Sequence, residues 1–220
     1  TVRSRFETMM FTVKPPFGSQ IQVRQTLNRP KRRLSIFHFL LKEAALGHLH
    51  FLTFSCYLRR PLLTNDLFRT WLSETLNKTL AAHDFQLCGF VYMPEHVHML
   101  VWPQKGVYSI AAFQHAFKRP YSLRIKNHLK KLNSPLLQEL TIRERPGKLT
   151  FRFWQEGGGH DLNVWSERYF WTKLEYMHNN PVQRKLVNSP DEWRWSSWRR
   201  WHQPESPIDP ALPVVTVVKY

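Results

Sequence analysis

Hydrophobic residues near position 50 follow the period of a strand, and those that come next follow the period of a helix. The segment HLHFLTFSCY, residues 48–57, is rich in aromatic and β-compatible residues and predicts a strand. After Pro61, residues 64–82 predict a helix, because their apolar side chains recur at helical spacing. These side chains are Leu67, Trp71, Leu72, Leu76 and Leu80.

Two apolar segments then predict a pair of strands. They are FQLCGFVYM, residues 85–93, and HVHMLVW, residues 96–102, which meet at a turn around Pro94 and Glu95. A second, basic helix is predicted over residues 109–132. Pro120 is expected to kink or restart this helix, because proline lacks the amide hydrogen that continues the helical ladder.

The pattern alternates once more before the chain ends. Residues 149–155, LTFRFWQ, predict a strand, and the three glycines 157–159 predict a mobile turn. Residues 166–179 predict a helix that Ser166 caps and that Pro181 stops. The aromatic, basic segment DEWRWSSWRRW is a candidate for a short helix.

This order of elements is strand, helix, two strands, helix, strand, helix. It favours an α+β fold in which helices pack on an antiparallel sheet of the ferredoxin-like kind. We assign residues 46–203 to this domain. Residues 1–45 form a basic extension that we expect to be loosely ordered, with an arm that follows DNA phosphates as the alternative. Residues 204–220 form a proline-rich tail.

The charge balance points to a partner. The 220 residues include 32 Lys and Arg against 16 Asp and Glu, a formal net charge of +16. A compact domain this basic needs a polyanion to offset its self-repulsion, and nucleic acid is the usual one. An anionic membrane is the rival, but the sequence has no apolar run of about 18 residues, which a spanning helix needs. We therefore expect a DNA partner and no membrane partner.

The start of the sequence and its cysteines bear on location. The opening segment TVRSRFETMM lacks the apolar core of a signal peptide. Cys56 and Cys88 are too few and too far apart for a disulfide framework or a zinc knuckle, and they suit a reducing compartment. We expect a cytoplasmic, nucleoid-associated protein.

The segment MPEHVHML carries the first candidate chemistry. Side chains alternate faces along a strand, so His96 and His98 point the same way, with their Cβ atoms roughly 7 Å apart. Two imidazoles at that separation can converge on one metal ion. The alternative is chance, since a chain with 11 histidines often places two of them at this spacing.

The segment YMHNNPV carries the second candidate. If it forms the last turn of a helix, Tyr176 and Asn180 share a face. A phenol can attack phosphorus, and an amide oxygen can bind a metal. The alternative makes Tyr176 a core aromatic and Asn180 a helix terminator before Pro181.

Four segments taken together resemble the REP-associated tyrosine transposases, which belong to the single-tyrosine HUH transposases of insertion sequences. They are GFVYMPEHVHMLVWP, FWQEGGGHDLNVWSE, YMHNNPVQRKLV and DEWRWSSW. The resemblance covers residues 46–203 and implies a ferredoxin-like catalytic domain with the histidine pair on a central strand. It also implies a tyrosine on a late helix that forms a 5′-phosphotyrosine link while nicking and rejoining single-stranded DNA beside hairpins.

Carried over to this sequence, the resemblance makes Tyr176 the nucleophile and His96, His98 and Asn180 the metal ligands. His178 is a second choice for the third ligand. Magnesium prefers oxygen ligands and manganese accepts imidazole, so Mg²⁺ or Mn²⁺ is the expected cofactor and Mn²⁺ the tighter ligand. The sequence departs from the family at Lys185, where a glycine that favours the end of a helix is common.

DNA contacts are expected from basic residues on two predicted helices, beside tryptophans that stack on unpaired bases or simply pack the C-terminal segment. The basic residues are Lys118, Arg119, Arg199 and Arg200, and the tryptophans are Trp193, Trp195 and Trp198. Monomer and homodimer both stay open. The rivals to a transposase are a hairpin-DNA-binding protein that no longer cuts, and a metal-dependent nuclease that activates water.

Overall fold

A four-stranded antiparallel sheet forms the centre of the computed structural model, which describes residues 47–217. Its strands run in the order β2-β3-β1-β6, and β4 pairs with β5 in a separate two-stranded hairpin. The expected extension over residues 1–45 lies outside the described residues. The strands are β1 (Leu49–Ser55), β2 (Phe85–Tyr92), β3 (His96–Pro103), β4 (Thr141–Arg145), β5 (Lys148–Phe151) and β6 (His160–Val164).

The three longest helices begin where polar side chains cap them. Asn65, Ser109 and Ser166 each accept a hydrogen bond from a backbone N–H in the first turn of the helix that follows. The cap predicted at Ser166 is confirmed. The helices are α1 (Asp66–Ala82), α2 (Ile110–Lys131), α3 (Pro135–Glu139), α4 (Glu167–Gln183) and α5 (Trp198–His202).

The connections confirm the predicted fold class. Strands β1 and β2 both run antiparallel to β3, which lies between them, so α1 makes a split βαβ crossover. Strand β6 returns after α2 and pairs antiparallel with the other edge of β1. The order β1-α1-β2-β3-α2-β6 is that of a ferredoxin-like sandwich. No helix within residues 47–217 is long and apolar enough to cross a membrane.

The two faces of the sheet are covered by different helices. On one face, Val97, Met99 and Val101 of β3 pack in a core that also contains residues of α1 and α2. On the other face, Leu100 and Trp102 pack with residues of α4. Helix α4 comes very close to β2, because a Cβ atom at Gly89 would lie 2.3 Å from Cε of Met177.

The strand predicted over residues 149–155 does not join the main sheet, so this prediction is wrong. Strand β5 ends at Phe151 and pairs with β4, while Phe153 and Trp154 are buried in the core without forming a strand. The fourth strand of the sheet is β6, with the sequence HDLNV. Its polar residues suit an exposed edge, so it lacks the apolar signal by which β1 was predicted.

The predicted stop at Pro181 is wrong, because helix α4 continues past it to Gln183. Pro120 does not restart α2, which runs through it as one element, and a kink there stays a prediction. A proline costs one hydrogen bond of the ladder, and the packing of α4 on the sheet outweighs that cost at Pro181. Helix α4 ends at Gln183 with Arg184 as its C-cap, and the next residue, Lys185, adopts a φ of +57°, the left-handed conformation that the family's usual glycine would favour.

The C-terminal segment is less helical than predicted. Within residues 191–201, only the end of a 3-10 turn (Pro190–Glu192) and the start of α5 are helical. Trp195 is buried and donates its indole N–H to Asp66, and Trp193 donates to the carbonyl of Tyr92. These two tryptophans therefore pack the segment onto the domain. In the tail, Thr216 N–H bonds to the carbonyl of Leu87.

Candidate active site

Strand β3 places His96 and His98 on the sheet face that α4 covers. Both side chains are buried, with 5% and 4% of their surface exposed. Their Nε2 atoms lie 3.0 Å apart, so the two imidazoles converge on one point. The two histidines therefore share a face of the sheet, as the alternation of side chains along a strand predicts.

Each imidazole is oriented by a hydrogen bond at its other nitrogen. Oε1 of Glu95 lies 3.1 Å from Nδ1 of His96, and Oγ1 of Thr53 lies 2.6 Å from Nδ1 of His98. A carboxylate only accepts, so His96 carries its proton on Nδ1 and keeps a lone pair on Nε2. A proton on Nδ1 of His98, donated to the Thr53 hydroxyl, has the same effect. Carboxylate and hydroxyl partners of this kind fix ligand histidines in metal sites.

Burial keeps both imidazoles neutral. It lowers the pKa of His98 to about 3, with further lowering by the nearby charges of His96 and Lys173. Burial also lowers the pKa of His96, and the carboxylate of Glu95 opposes this shift. Neutral imidazole is the form that binds a metal ion.

Glu95 links the histidines to the surface. Its carboxylate is nearly buried and pairs with Arg184 at 2.9 Å, and Arg59 lies 3.7 Å away. Arg59 and its neighbour Leu58 both adopt left-handed backbone conformations, with φ of +52° and +51°. Two guanidinium groups beside one carboxylate leave a net positive charge next to His96, which suits a phosphate.

Helix α4 brings Asn180 and Tyr176 to the histidine pair. Nδ2 of Asn180 lies 3.2 Å from Nε2 of His98, and Asn180 is buried. The ring of Tyr176 lies one turn earlier, 5.6 Å from the ring of His98 between centroids, and is 43% exposed. The structure thus makes Tyr176 an accessible phenol and not a core aromatic.

The donor set fits a divalent metal ion. Two imidazole nitrogens that bind one ion at about 2.1 Å each are about 3 Å apart when the bonds form a right angle. The observed 3.0 Å separation matches, and two buried lone pairs that face each other need a cation or a proton between them. Among residues 47–217 no three His, Cys, Asp or Glu side chains group as ligands. The third ligand would be the amide of Asn180, whose oxygen faces His98 after a half-turn of the amide.

Lys173 is a site residue that was missed in the sequence. Its Nζ lies 5.2 Å from the ring centroid of Phe51 and 5.9 Å from that of Tyr176. It comes one turn before Tyr176, so helical spacing would have revealed it. Glu95 is adjacent to His96 in the sequence, but Thr53 could be found only through the pairing of β1 with β3.

The other predicted residues lie apart from this cluster. Nε2 of His178 bonds to Oγ of Ser197 on the core side of α4, so His178 does not share the position of Asn180. Lys118 contacts the ring of Phe54, which points away from the histidine face because it alternates with Thr53. Arg119, Arg199 and Arg200 lie on α2 and α5, and no contact joins them to the histidine pair.

The fold and this cluster define a ferredoxin-like domain with a paired-histidine site that faces a tyrosine helix. Residues 44–184 match the family model described as transposase, IS200-like, which is more than half of the chain. This protein belongs to the IS200-like transposase family.

Solved structures are similar as well. One is a REP-associated tyrosine transposase bound to a REP hairpin, at 16% identity, with a TM-score of 0.57, covering 79% of this chain and 89% of that chain. At this identity the likeness shows a shared fold. A second is a Deinococcus radiodurans R1 protein, at 17% identity, with a TM-score of 0.40, covering 60% of this chain and 88% of that chain. Among curated proteins, none matches this chain.

Proposed function

We propose that this protein is a single-strand DNA transposase that nicks and rejoins DNA through a covalent link to Tyr176. The observation that carries the proposal is the convergence of four side chains from two elements on one sheet face. His96 and His98 come from β3, and Asn180 and Tyr176 from α4. The alternatives weighed for each motif alone, chance histidines and a core tyrosine, do not require this convergence.

The chemistry follows from the residues. The phenol of Tyr176 has an ordinary pKa near 10 as a free side chain, so its attack needs help at the phosphate. A divalent ion held by His96, His98 and Asn180 would supply a Lewis acid that polarises the scissile phosphate. Oη of Tyr176 forms a bond to phosphorus, the bond to the 3′-oxygen breaks, and the leaving oxygen takes up a proton as a 3′-OH.

The tyrosine link makes the reaction reversible. The 5′-phosphotyrosine keeps the bond energy of the phosphodiester, so a 3′-OH of a second strand can displace Tyr176 without another energy source. Lys173 supports this step, because its ammonium lies beside the exposed ring of Tyr176, where a phosphate must approach. Mg²⁺ and Mn²⁺ are the proposed cofactors, and the imidazole pair favours Mn²⁺.

The proposed substrate is single-stranded DNA beside a hairpin. The net charge of +16 suits a polyanion, and the structure similar in fold holds a REP hairpin. The side chain of Tyr176 is exposed, so a DNA strand can reach it, whereas the proposed metal ligands are buried. The strand therefore approaches from the solvent side of α4.

The experiment incubates the protein with labelled hairpin oligonucleotides from the flanks of its own gene, with Mn²⁺, and resolves products on denaturing gels. A covalent protein–DNA adduct that needs metal and is absent in Tyr176→Phe is the expected result. Tyr108→Phe is the matched control, since it removes a phenol hydroxyl that bonds to His50 and lies apart from the histidine pair, and it should leave the adduct intact.

The same gels separate the rival functions. Free 5′-phosphate ends without an adduct, undiminished in Tyr176→Phe, would indicate a nuclease that activates water. Tight hairpin binding with neither adduct nor cleavage under Mg²⁺ or Mn²⁺ would indicate a DNA-binding protein that has lost the reaction.

A further inference from the structure

One stripe of α4 continues beyond the nucleophile to the start of the helix. Its helical members are spaced by four, three and four residues, so they line up along the helix axis. They are Tyr169, Lys173, Tyr176 and Asn180. Trp165 directly precedes the N-cap Ser166 and lies outside the helix. We call these five residues the α4 stripe.

The far end of the α4 stripe opens into a groove between β6 and the first turns of α4. The groove has a volume of about 660 Å³, and its lining includes Leu162, Asn163, Trp165 and Tyr169. Trp165 is 62% exposed, and its indole contacts the ring of His48, with centroids 4.7 Å apart and ring planes tilted by 60°. An exposed indole offers a flat surface on which a base can stack. We call this the β6 groove.

Lys173 joins the β6 groove to the nucleophile. Its Nζ lies 5.0 Å from the ring centroid of Tyr169 on one side and 5.9 Å from that of Tyr176 on the other. A phosphate that Lys173 contacts would therefore lie close to both tyrosine rings. Tyr169 lines the groove, so Lys173 lies along the helix between a groove residue and Tyr176.

The distances fit a short piece of single strand. Trp165 and Tyr176 are eleven residues apart, which is about 16 Å at the rise of a helix. At a duplex spacing of about 3.4 Å per nucleotide this is about five nucleotides, and an extended strand covers it in fewer. A strand with its phosphate at Tyr176 thus reaches Trp165 within about five nucleotides.

We propose that the β6 groove binds an unpaired base of the DNA strand within about five nucleotides of the scissile phosphate, stacked on the indole of Trp165. This inference rests on the proposed function of Tyr176. Proteins that hold single strands combine aromatic stacking platforms with cations that follow the backbone, and the α4 stripe has both. Arg168 also lines the groove, so positive charge lies on both sides of Tyr169.

A second copy of the chain is the competing occupant, since β6 is an edge strand. Its sequence argues against strand pairing, because His160, Asp161 and Asn163 place polar and charged groups along the edge. The carboxylate of Asp161 is engaged by His50, 2.7 Å away, which reduces its repulsion of a DNA backbone. The base is therefore the favoured occupant.

The test measures binding of hairpin oligonucleotides in which each unpaired position on either side of the hairpin is made abasic in turn. Binding is measured in the Tyr176→Phe background, so that cleavage does not interfere. We expect one or two positions to weaken binding roughly 5- to 100-fold, the effect of losing one base stack. In Trp165→Ala, binding is weaker and the abasic penalty at those positions disappears. Leu149→Ala, which removes an exposed apolar side chain on β5, is the control and should keep the abasic penalty.

Several outcomes would overturn the proposal. They are an abasic penalty that survives in Trp165→Ala, a scan with no sensitive position, and a sensitive position more than about five nucleotides from the mapped cut. A change of sedimentation from dimer to monomer in Trp165→Ala would assign the groove to a second copy. An abasic penalty that depends on Trp165, in a protein whose wild type forms no adduct, would support base binding in the groove and reject the transferase. An adduct in the wild-type protein without such a penalty would support the transferase and reject base binding in the groove.

Discussion

The two faces of β3 use the same backbone for different purposes. Val97, Met99 and Val101 are completely buried against the α1 and α2 side, where the core is aliphatic and aromatic. On the opposite face, His96 and His98 are almost as deeply buried, but they contact Thr53, Glu95 and Asn180. One strand thus supplies one core with its odd positions, while its even positions supply the candidate site with His96 and His98 and a second core with Leu100 and Trp102.

The difference shows where each kind of burial obtains its stability. Apolar side chains gain about 25 cal/mol for each Å² removed from water, without regard to direction. Buried imidazoles gain stability only through directed partners, and unpaired polar groups cost free energy. The geometry of the histidine pair on the α4 face therefore depends on a few hydrogen bonds, whereas the packing of the α1 and α2 face depends on shape. Changes to the histidine pair should therefore affect the reaction more than the free energy of unfolding, and changes to the α1 and α2 face should do the opposite.

The largest effect is expected on the α4 face. In His98→Ala, formation of the Tyr176 adduct should fall about 10³-fold or more, because the metal loses a ligand and the phosphate loses several kcal/mol of charge stabilisation. Added Mn²⁺ should raise the Tm of the wild-type protein but not that of the variant. Gel assays and thermal unfolding measure the two properties.

His115→Ala serves as the control, since His115 is an exposed residue of α2 away from the histidine pair. It should keep both the adduct and the Mn²⁺ shift. An adduct that persists in His98→Ala would show that the histidine pair is not needed for the reaction.

The second prediction concerns the neighbouring residue on the opposite face of β3, where stability should change and the reaction rate should not. Met99→Ala should lower the free energy of unfolding by about 2–5 kcal/mol, because it opens a cavity in a closely packed core. The rate of adduct formation by the folded protein should change less than twofold. Denaturant titration and rates at low temperature check this. A large loss of rate without loss of stability would mean that the two faces are not independent.

The sequence predicted which side chains share the histidine face of β3 better than it predicted the order of the strands in the sheet. Alternation within a strand is local, so HVHMLVW revealed that His96 and His98 share a face, and helical spacing placed Tyr176 above Asn180. The fourth strand was misplaced because HDLNV forms a strand only through pairing with β1, which no local pattern encodes. The role of Thr53 depends on the same kind of non-local pairing. Pro181 was misjudged because the packing of α4 outweighs one lost hydrogen bond.

The third prediction concerns the hydrogen bond behind His96. In Glu95→Gln, the affinity for Mn²⁺ should fall roughly 10- to 100-fold, since the partner that orients the ligand loses its charge. The maximum rate at saturating Mn²⁺ should stay close to that of the wild-type protein. A titration of adduct rate against Mn²⁺ separates affinity from rate. A maximum rate that stays low at saturating metal would place Glu95 in the chemical step instead.

The smallest effect is expected on the α1 and α2 side, where Lys118 is a candidate DNA contact. Burial lowers the pKa of Lys118 to about 8, against about 10.5 for a free lysine. The side chain is a cation below this pH and neutral above it. If it contacts a phosphate, metal-free hairpin affinity should fall a few-fold between pH 7 and pH 9. Exposed lysines keep their charge over this range.

Lys118→Arg isolates this step, because arginine stays charged throughout the range. The terminal amine also titrates near pH 8, but it does so equally in both proteins and is subtracted by the comparison. An identical pH dependence in the two proteins would remove Lys118 from the DNA interface. The α1 and α2 side of the sheet would then act in folding, and the contacts of the DNA would belong to α4 and its surroundings.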